Sequence, residues 1–184
     1  MTRAHSDIHR IELRLDELSQ LFNSMDPTPF HNKDLDRDAE EFIESWALEF
    51  PQESRFRITV HLAHMPAEDP TQVVSDAIRN YFTYKAELSR RMVRVLLREG
   101  RTALLIGVAF LSACLLLADL LTLLAQGTFL KIVRESLTIG GWVAMWRPMQ
   151  IFLYEWWPLM RRSRIYHNLA AAHVRVLQDE KRAG

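Results

Sequence analysis

Apolar and polar positions change period several times along the chain, and each change predicts an element. Ile8, Ile11, Leu15, Leu18 and Phe22 are spaced three and four apart, with Glu12, Arg14, Asp16 and Glu17 around them. That spacing is one helical seam and predicts a first short helix with a narrow apolar stripe. Asn23 to Phe30 contains Pro27 and Pro29, which fix φ and end the helix. Asp38 with Glu41 three positions later reads as an N-cap and its carboxylate partner. Phe42, Trp46 and Phe50 then mark one face of a second short helix, stopped by Pro51.

From Arg55 to Leu62 the pattern becomes strict alternation. Phe56, Ile58, Val60 and Leu62 fall on one side, and Arg55, Arg57, Thr59 and His61 on the other. A single strand leaves its backbone donors and acceptors unpaired. The expectation is therefore that Phe56, Ile58, Val60 and Leu62 form an oligomerisation strand, completed by a second copy of the chain.

Asp69-Pro70-Thr71-Gln72 is a strong helix start, with Val74, Ile78, Tyr81, Leu88, Met92 and Val95 on a seam behind it. Before Gln126 only Gly100 and Gly107 weaken helix, so one helix is predicted from about Pro70 to about Ala125, on the order of 80 Å long. Gly100 is the predicted kink. Thr102 to Ala118 carries no charge, and with Asp119 as its one interruption this stretch reads as a membrane span. A second span is predicted over 136–160, rich in tryptophan and leaving through Trp156-Trp157-Pro158. The tail after Arg161 is helix-compatible, with Ala170, Ala171, Ala172, Val174 and Leu177 as one docking face.

The predicted fold is thus mainly α, a membrane helical hairpin whose long first helix continues into a cytoplasmic stalk. A small α+β cytoplasmic domain over 1–68 has two short helices and one strand per chain. The stalk covers 69–101, the spans 102–125 and 136–160, the outer loop 126–135 and the C-terminal tail 161–184.

Overall charge changes the picture only through its distribution. The 184 residues hold 23 Lys and Arg against 23 Asp and Glu, and mean hydropathy is −0.10, values that a soluble globule would share. Yet Arg79, Lys85, Arg90, Arg91, Arg94, Arg98 and Arg101 crowd the approach to the first span, and Arg161, Arg162 and Arg164 follow the second. Between the spans stand only Lys131 and Arg134. The positive-inside rule then places both termini in the cytoplasm, with Arg94, Arg98, Arg101, Arg161, Arg162 and Arg164 against anionic lipid headgroups. That function, rather than nucleic-acid binding, accounts for the basic stretch. Met1 to Arg10 is polar, so no cleavable leader is expected there. Cys114, the single cysteine, lies within an apolar run and implies neither disulfide nor metal chemistry.

Asp119, Arg147 and Glu155 are ionisable groups at membrane depth, each costing roughly 2.5 to 3.5 kcal/mol at a helix centre unless paired or wetted. An ion pair of Asp119 with Arg147 is one reading, and a polar pathway lined by the same residues is the other. Glu155 is placed near the interface as a partner for Arg161 or Arg162. Pro148 frees the carbonyl of Ala144 and predicts a kink beside Arg147. Gly140-Gly141 permits close approach of another helix. His31, Asp34, Asp36, Asp38 and Glu41 invite a metal, but Ala39 and Ser45 break the calcium-loop pattern, and solvated capping carboxylates explain the cluster. His61 and His64 fall on opposite faces of an extended chain, which argues against a shared metal. No catalytic or cofactor motif is present, so no cofactor and no enzymatic activity are expected.

Phe22 to Phe30 with Asp34-Leu35-Asp36, and Gly141 to Pro148 with Ile151 to Pro158, resemble uncharacterised bacterial membrane proteins with two spans, over most of the chain. The resemblance implies bacterial origin and an inner-membrane location, and carries no activity. The expected role is a homo-oligomeric inner-membrane scaffold or partner-recruiting protein. Its expected partners are itself, anionic lipid headgroups and another membrane or cytoplasmic protein. The alternative is an ion-conducting or transport-linked oligomer with Asp119 and Arg147 near the pathway.

Overall fold

A computed structural model describes residues 8–23, 34–124 and 127–179. The elements are β1 (Ile8–Leu15), a 3-10 turn (Leu18–Leu21), α1 (Arg37–Glu49), β2 (Arg55–Leu62), α2 (Thr71–Leu124), α3 (Thr128–Ala144), α4 (Trp146–Gln150), a π-helical turn (Ile151–Glu155), α5 (Trp156–Ala170) and β3 (His173–Gln178). They divide into two compact units. One holds the residues up to Arg90 together with those from Arg161 onward, and the other is Arg91–Met160.

The first unit is built on a three-stranded sheet in the order β1-β2-β3, with both pairings parallel. β2 is the central strand, with Ile58 beside Ile11 on one flank and Val174 on the other. The sequence-based strand at Arg55–Leu62 is therefore correct in place but not solitary. Phe56, Ile58, Val60 and Leu62 point into the chain's own core, and both edges of β2 are bonded within one subunit. The unsatisfied strand that called for a second copy does not exist, and the expectation of one strand per chain gives way to three.

Two neighbouring elements change with it. Residues 8–15 form a strand, not a helix, because Ile11, Leu13 and Leu15 alternate with Arg10, Glu12 and Arg14, and the helical seam had skipped Leu13. Residues 173–178 are likewise a strand instead of helical tail, with Val174 and Val176 buried and His173, Arg175 and Leu177 exposed.

Both parallel connections pass over the same face of the sheet. Right-handed crossovers between strands added in one direction put their helices on one side. Ala39, Ile43 and Ala47 of α1, Val74, Ile78 and Phe82 of α2, and Ile165 and Leu169 of α5 accordingly share one core with the inward side chains of the strands. The buried face of α1 is thus Ala39, Ile43 and Ala47, while Phe42 and Trp46 stay 41% and 43% exposed on its flank. Its N-cap is Asp36, two residues before the expected Asp38, and accepts the Asp38 amide at 3.0 Å. His9 stacks on Phe50 at 3.8 Å and closes one end of the core.

Polar clamps hold the helices together. Glu40 of α1 takes Tyr81 and Lys85 of α2, spaced four apart, while Glu44 of α1 takes Tyr166 and Arg162 of α5, also four apart. Ser163 donates to the Ala86 carbonyl at 3.2 Å, and the Asn168 amide donates to the carbonyls of Gln52 and Ser54 at 2.8 and 3.1 Å.

α2 begins as expected. Asp69 accepts the Thr71 amide at 3.0 Å and Pro70 accepts from Val74 at 2.9 Å. The helix then runs unbroken for 54 residues through Gly100, where the kink was expected. Gly100 is a packing glycine: a Cβ there would meet Ile151 Cγ2 at 2.8 Å. The second unit is the apolar end of α2 against α3, α4 and the π turn, with Gly107 against Ala144 and Met145, and Gly141 against Leu111 and Cys114. The predicted second span, 136–160, is not one regular helix. It breaks at Met145 and passes through a π turn before α5. Pro148 supplies the cause of the break, since the carbonyl it frees at Ala144 turns toward Gly107, where a Cβ would lie 3.2 Å from it.

Candidate functional site: the open face of the sheet

Parallel sheets are ordinarily covered on both faces. Here the helices take one face, the other is left open among the described residues, and that open face is strongly basic. Along the registers of the two ladders, Arg10, Arg57 and His173 form one row across the three strands. Glu12, Thr59 and Arg175 form the next, Arg14, His61 and Leu177 a third, and Ile8 beside Arg55 begins the series.

Five arginines therefore face one way with a single carboxylate, Glu12, among them. Adjacent like charges on a sheet destabilise it, so Arg10 beside Arg57 costs stability in the isolated domain. Among the described residues, none of Arg10, Arg14, Arg55, Arg57 and Arg175 has an ion-pair partner. Arg57, on the central strand, buries its Nε without a hydrogen-bond acceptor. Burying an unpaired guanidinium nitrogen costs free energy that an anionic ligand would recover.

At the N-terminal end of the strands the face deepens into an open cavity of about 480 Å³, lined by Arg55, Arg57, His167, Asn168 and His173, with Glu53 on its wall. A second depression of about 510 Å³ is lined by Glu12, Arg14 and Leu15 of β1 and by Asp36, Asp38 and Phe42 at and within the start of α1.

The charged residues singled out at membrane depth are arranged differently from expectation. Arg147 pairs with Glu155 across the π turn, with Nη1 2.5 Å from Oε1. Its expected partner Asp119 sits on an exposed face of α2, and Glu155 pairs with neither Arg161 nor Arg162. Arg161 donates to the Leu48 carbonyl at 2.9 Å, Arg164 to Gln52 Oε1 at 3.2 Å, and Arg162 approaches Glu44 at 3.9 Å. These three arginines brace the first unit, while Arg94, Arg98 and Arg101 remain exposed on α2. Of the suspected metal cluster, His31 lies outside the described residues, as does most of the Asn23 to Phe30 loop. No group of three potential metal ligands occurs among the described residues.

Arg55, Arg57 and His61 were legible as the polar side of a strand. Arg10, Arg14, His173 and Arg175 were missed because β1 and β3 read as helix. The alternation Ile11-Glu12-Leu13-Arg14-Leu15 and Val174-Arg175-Val176 was the available signal.

These features define a small α/β domain with an apolar helical hairpin inserted in its second crossover. No family model, curated protein or solved structure matches the chain.

Proposed function

We propose that the chain is a non-catalytic, membrane-anchored recruitment protein: the hairpin crosses a bilayer twice, and the α/β domain offers its basic sheet face to an anionic partner. One observation carries the anchor. α2 is long and apolar enough to cross a membrane, and its most apolar stretch, at mean hydropathy 2.5, is only 17% buried. Leu105, Ile106, Leu116 and Leu123 of α2 are matched by Phe129, Ile139, Trp142, Val143 and Trp146 beyond the turn, all more than half exposed. A continuous apolar surface of this kind calls for hydrocarbon rather than water.

The sheet supports an even number of crossings, because the strands before and after the hairpin pair in one domain. Basic residues flanking the hairpin favour a cytoplasmic domain at a bacterial inner membrane. The competing reading, conduction past Asp119 and Arg147, draws less support, since Arg147 pairs with Glu155 and not with Asp119. Self-association is not required by β2 and has no part in this reading.

Alkaline carbonate extraction tests the anchor. The full-length protein is expected to stay with the membrane pellet, and release into the supernatant would contradict it. Charge reversal on the face, Arg175→Glu with Arg10→Glu, is expected to abolish partner co-purification while membrane retention persists. Unchanged co-purification would count against recruitment by this face.

A further inference from the structure

We infer that the cavity at the N-terminal end of the sheet is a binding site for a phosphate monoester, held by Arg55, Arg57, His167 and His173. This deepens the recruitment reading by naming the chemistry that its basic face accepts. It does not depend on how the hairpin lies in a bilayer.

The cavity, about 480 Å³, falls within the size of small-ligand sites. Arg57 lines it from the central strand. Cross-strand neighbours of Arg57 are Arg10 and His173, so no acid stands beside it in either ladder, and its buried Nε lacks an acceptor. Arg55, two positions earlier on the same strand, projects to the same face. His173 opens β3 and His167 sits in the last turn of α5, so the cationic and donor groups come from three elements.

Arginine, not lysine, occupies both strand positions, and its planar fork matches oxyanion geometry with two parallel hydrogen bonds. A carboxylate offers two oxygens, whereas a phosphate monoester offers three and carries a charge near −2 at neutral pH. Donors converging from several directions suit the second better. Glu53 on the wall opposes an anion and favours a ligand whose phosphate enters deep, toward Arg57, with its neutral or cationic remainder at the rim. Among the described lining residues there is no tryptophan or tyrosine, and the one phenylalanine, Phe56, is buried in the core, so the cavity lacks a large aromatic platform for a nucleobase.

The monoester could belong to a soluble metabolite or to a phospholipid headgroup, and the chemistry is shared. Isothermal titration of the full-length protein in phosphatidylcholine nanodiscs, with inorganic phosphate and with glycerol phosphate as probes, tests the site. Saturable binding is expected for the unaltered protein. Arg57→Lys keeps the charge but loses the fork, and is expected to weaken binding about tenfold or more. Should Arg57→Lys disturb folding, Arg55→Gln at the exposed mouth of the cavity carries the same expectation, with circular dichroism reporting an intact domain. Repeating the titration in nanodiscs containing phosphatidic acid separates the sources: loss of free-probe binding assigns a headgroup, and persistence assigns a soluble ligand. Absence of saturable binding by either probe, or affinity unchanged in both variants, would overturn the site.

Discussion

Val174 lies directly beside Ile58 in the β2–β3 ladder, so a residue from beyond the apolar hairpin completes a strand pair with one from before it. Closing that pair joins two segments distant in sequence, so formation of the sheet waits for the hairpin to return. Val174 and Ile58 are both buried in a core that draws on β1, β2, β3, α1, α2 and α5. Losing either end of the chain therefore unpicks the same domain.

Ile58 is fully buried at the centre of the sheet. Replacing it by alanine is expected to cost about 2 to 5 kcal/mol through lost burial and the cavity left behind. Denaturant unfolding followed by far-ultraviolet circular dichroism checks it. A loss under about 1 kcal/mol would show that β2 is not the core strand.

Adjacent glycines predict opposite outcomes. A Cβ on Gly141 would come within 2.8 Å of Leu111 and 3.3 Å of Cys114, whereas one on Gly140 meets nothing within 4 Å. Gly141→Ile is expected to lower the thermal midpoint of the detergent-purified protein by several degrees, with Gly140→Ile close to unchanged. Equal sensitivity would refute the close approach of α2 and α3.

Arg147 and Glu155 should behave as a unit. Glu155→Gln leaves an unpaired guanidinium in an apolar segment, a cost on the order of 2 to 3 kcal/mol, and should reduce membrane-inserted protein. Pairing it with Arg147→Gln is expected to restore the level. Simple additivity of the two losses, measured as folded yield in membranes, would mean that the residues are not coupled.

Burial, followed by the hydrogen bond to Glu40, pushes the Tyr81 phenol well above its ordinary value, and burial with Glu44 does the same for Tyr166. A raised folded-state pKa gives stability that is fully present below about pH 10, where the unfolded phenols are still protonated, and that falls as pH rises beyond it. Stability should therefore decline above about pH 10. The decline should be shallower in the Tyr81→Phe, Tyr166→Phe double variant, and an unchanged slope would remove the tyrosines as its cause.

Much of the helical part was legible, because Asp69-Pro70 and a long run without breakers specify α2 locally. The sheet was less so. Around β1 five apolar residues satisfy the helical period while two of them, Ile11 and Leu15, satisfy alternation with Leu13, and only tertiary pairing with β2 decides between the two. At β3 the preceding alanines favour helix up to Ala170, and the switch at His173 depends on a vacant edge supplied by β2. With both flanking strands unseen, the central one seemed to want another chain. The basic face stayed hidden for the same reason, since its rows cross three strands. Arg147 found Glu155 instead of Asp119 because the π turn brings residues eight apart to the same side, a geometry that spacing in a regular helix does not forecast.

The central claim proposed above, that the hairpin crosses the membrane twice and returns the chain to the side on which it left, is tested most directly by cysteine accessibility. Single cysteines introduced by Glu53→Cys, Thr128→Cys and Gln178→Cys in a Cys114→Ser background are treated with a membrane-impermeant maleimide on intact cells and on inverted vesicles. Positions 53 and 178 are predicted to react together in inverted vesicles only, and position 128 in intact cells only. Labelling of 53 and 178 from opposite sides, or of all three from the same side, would contradict the account.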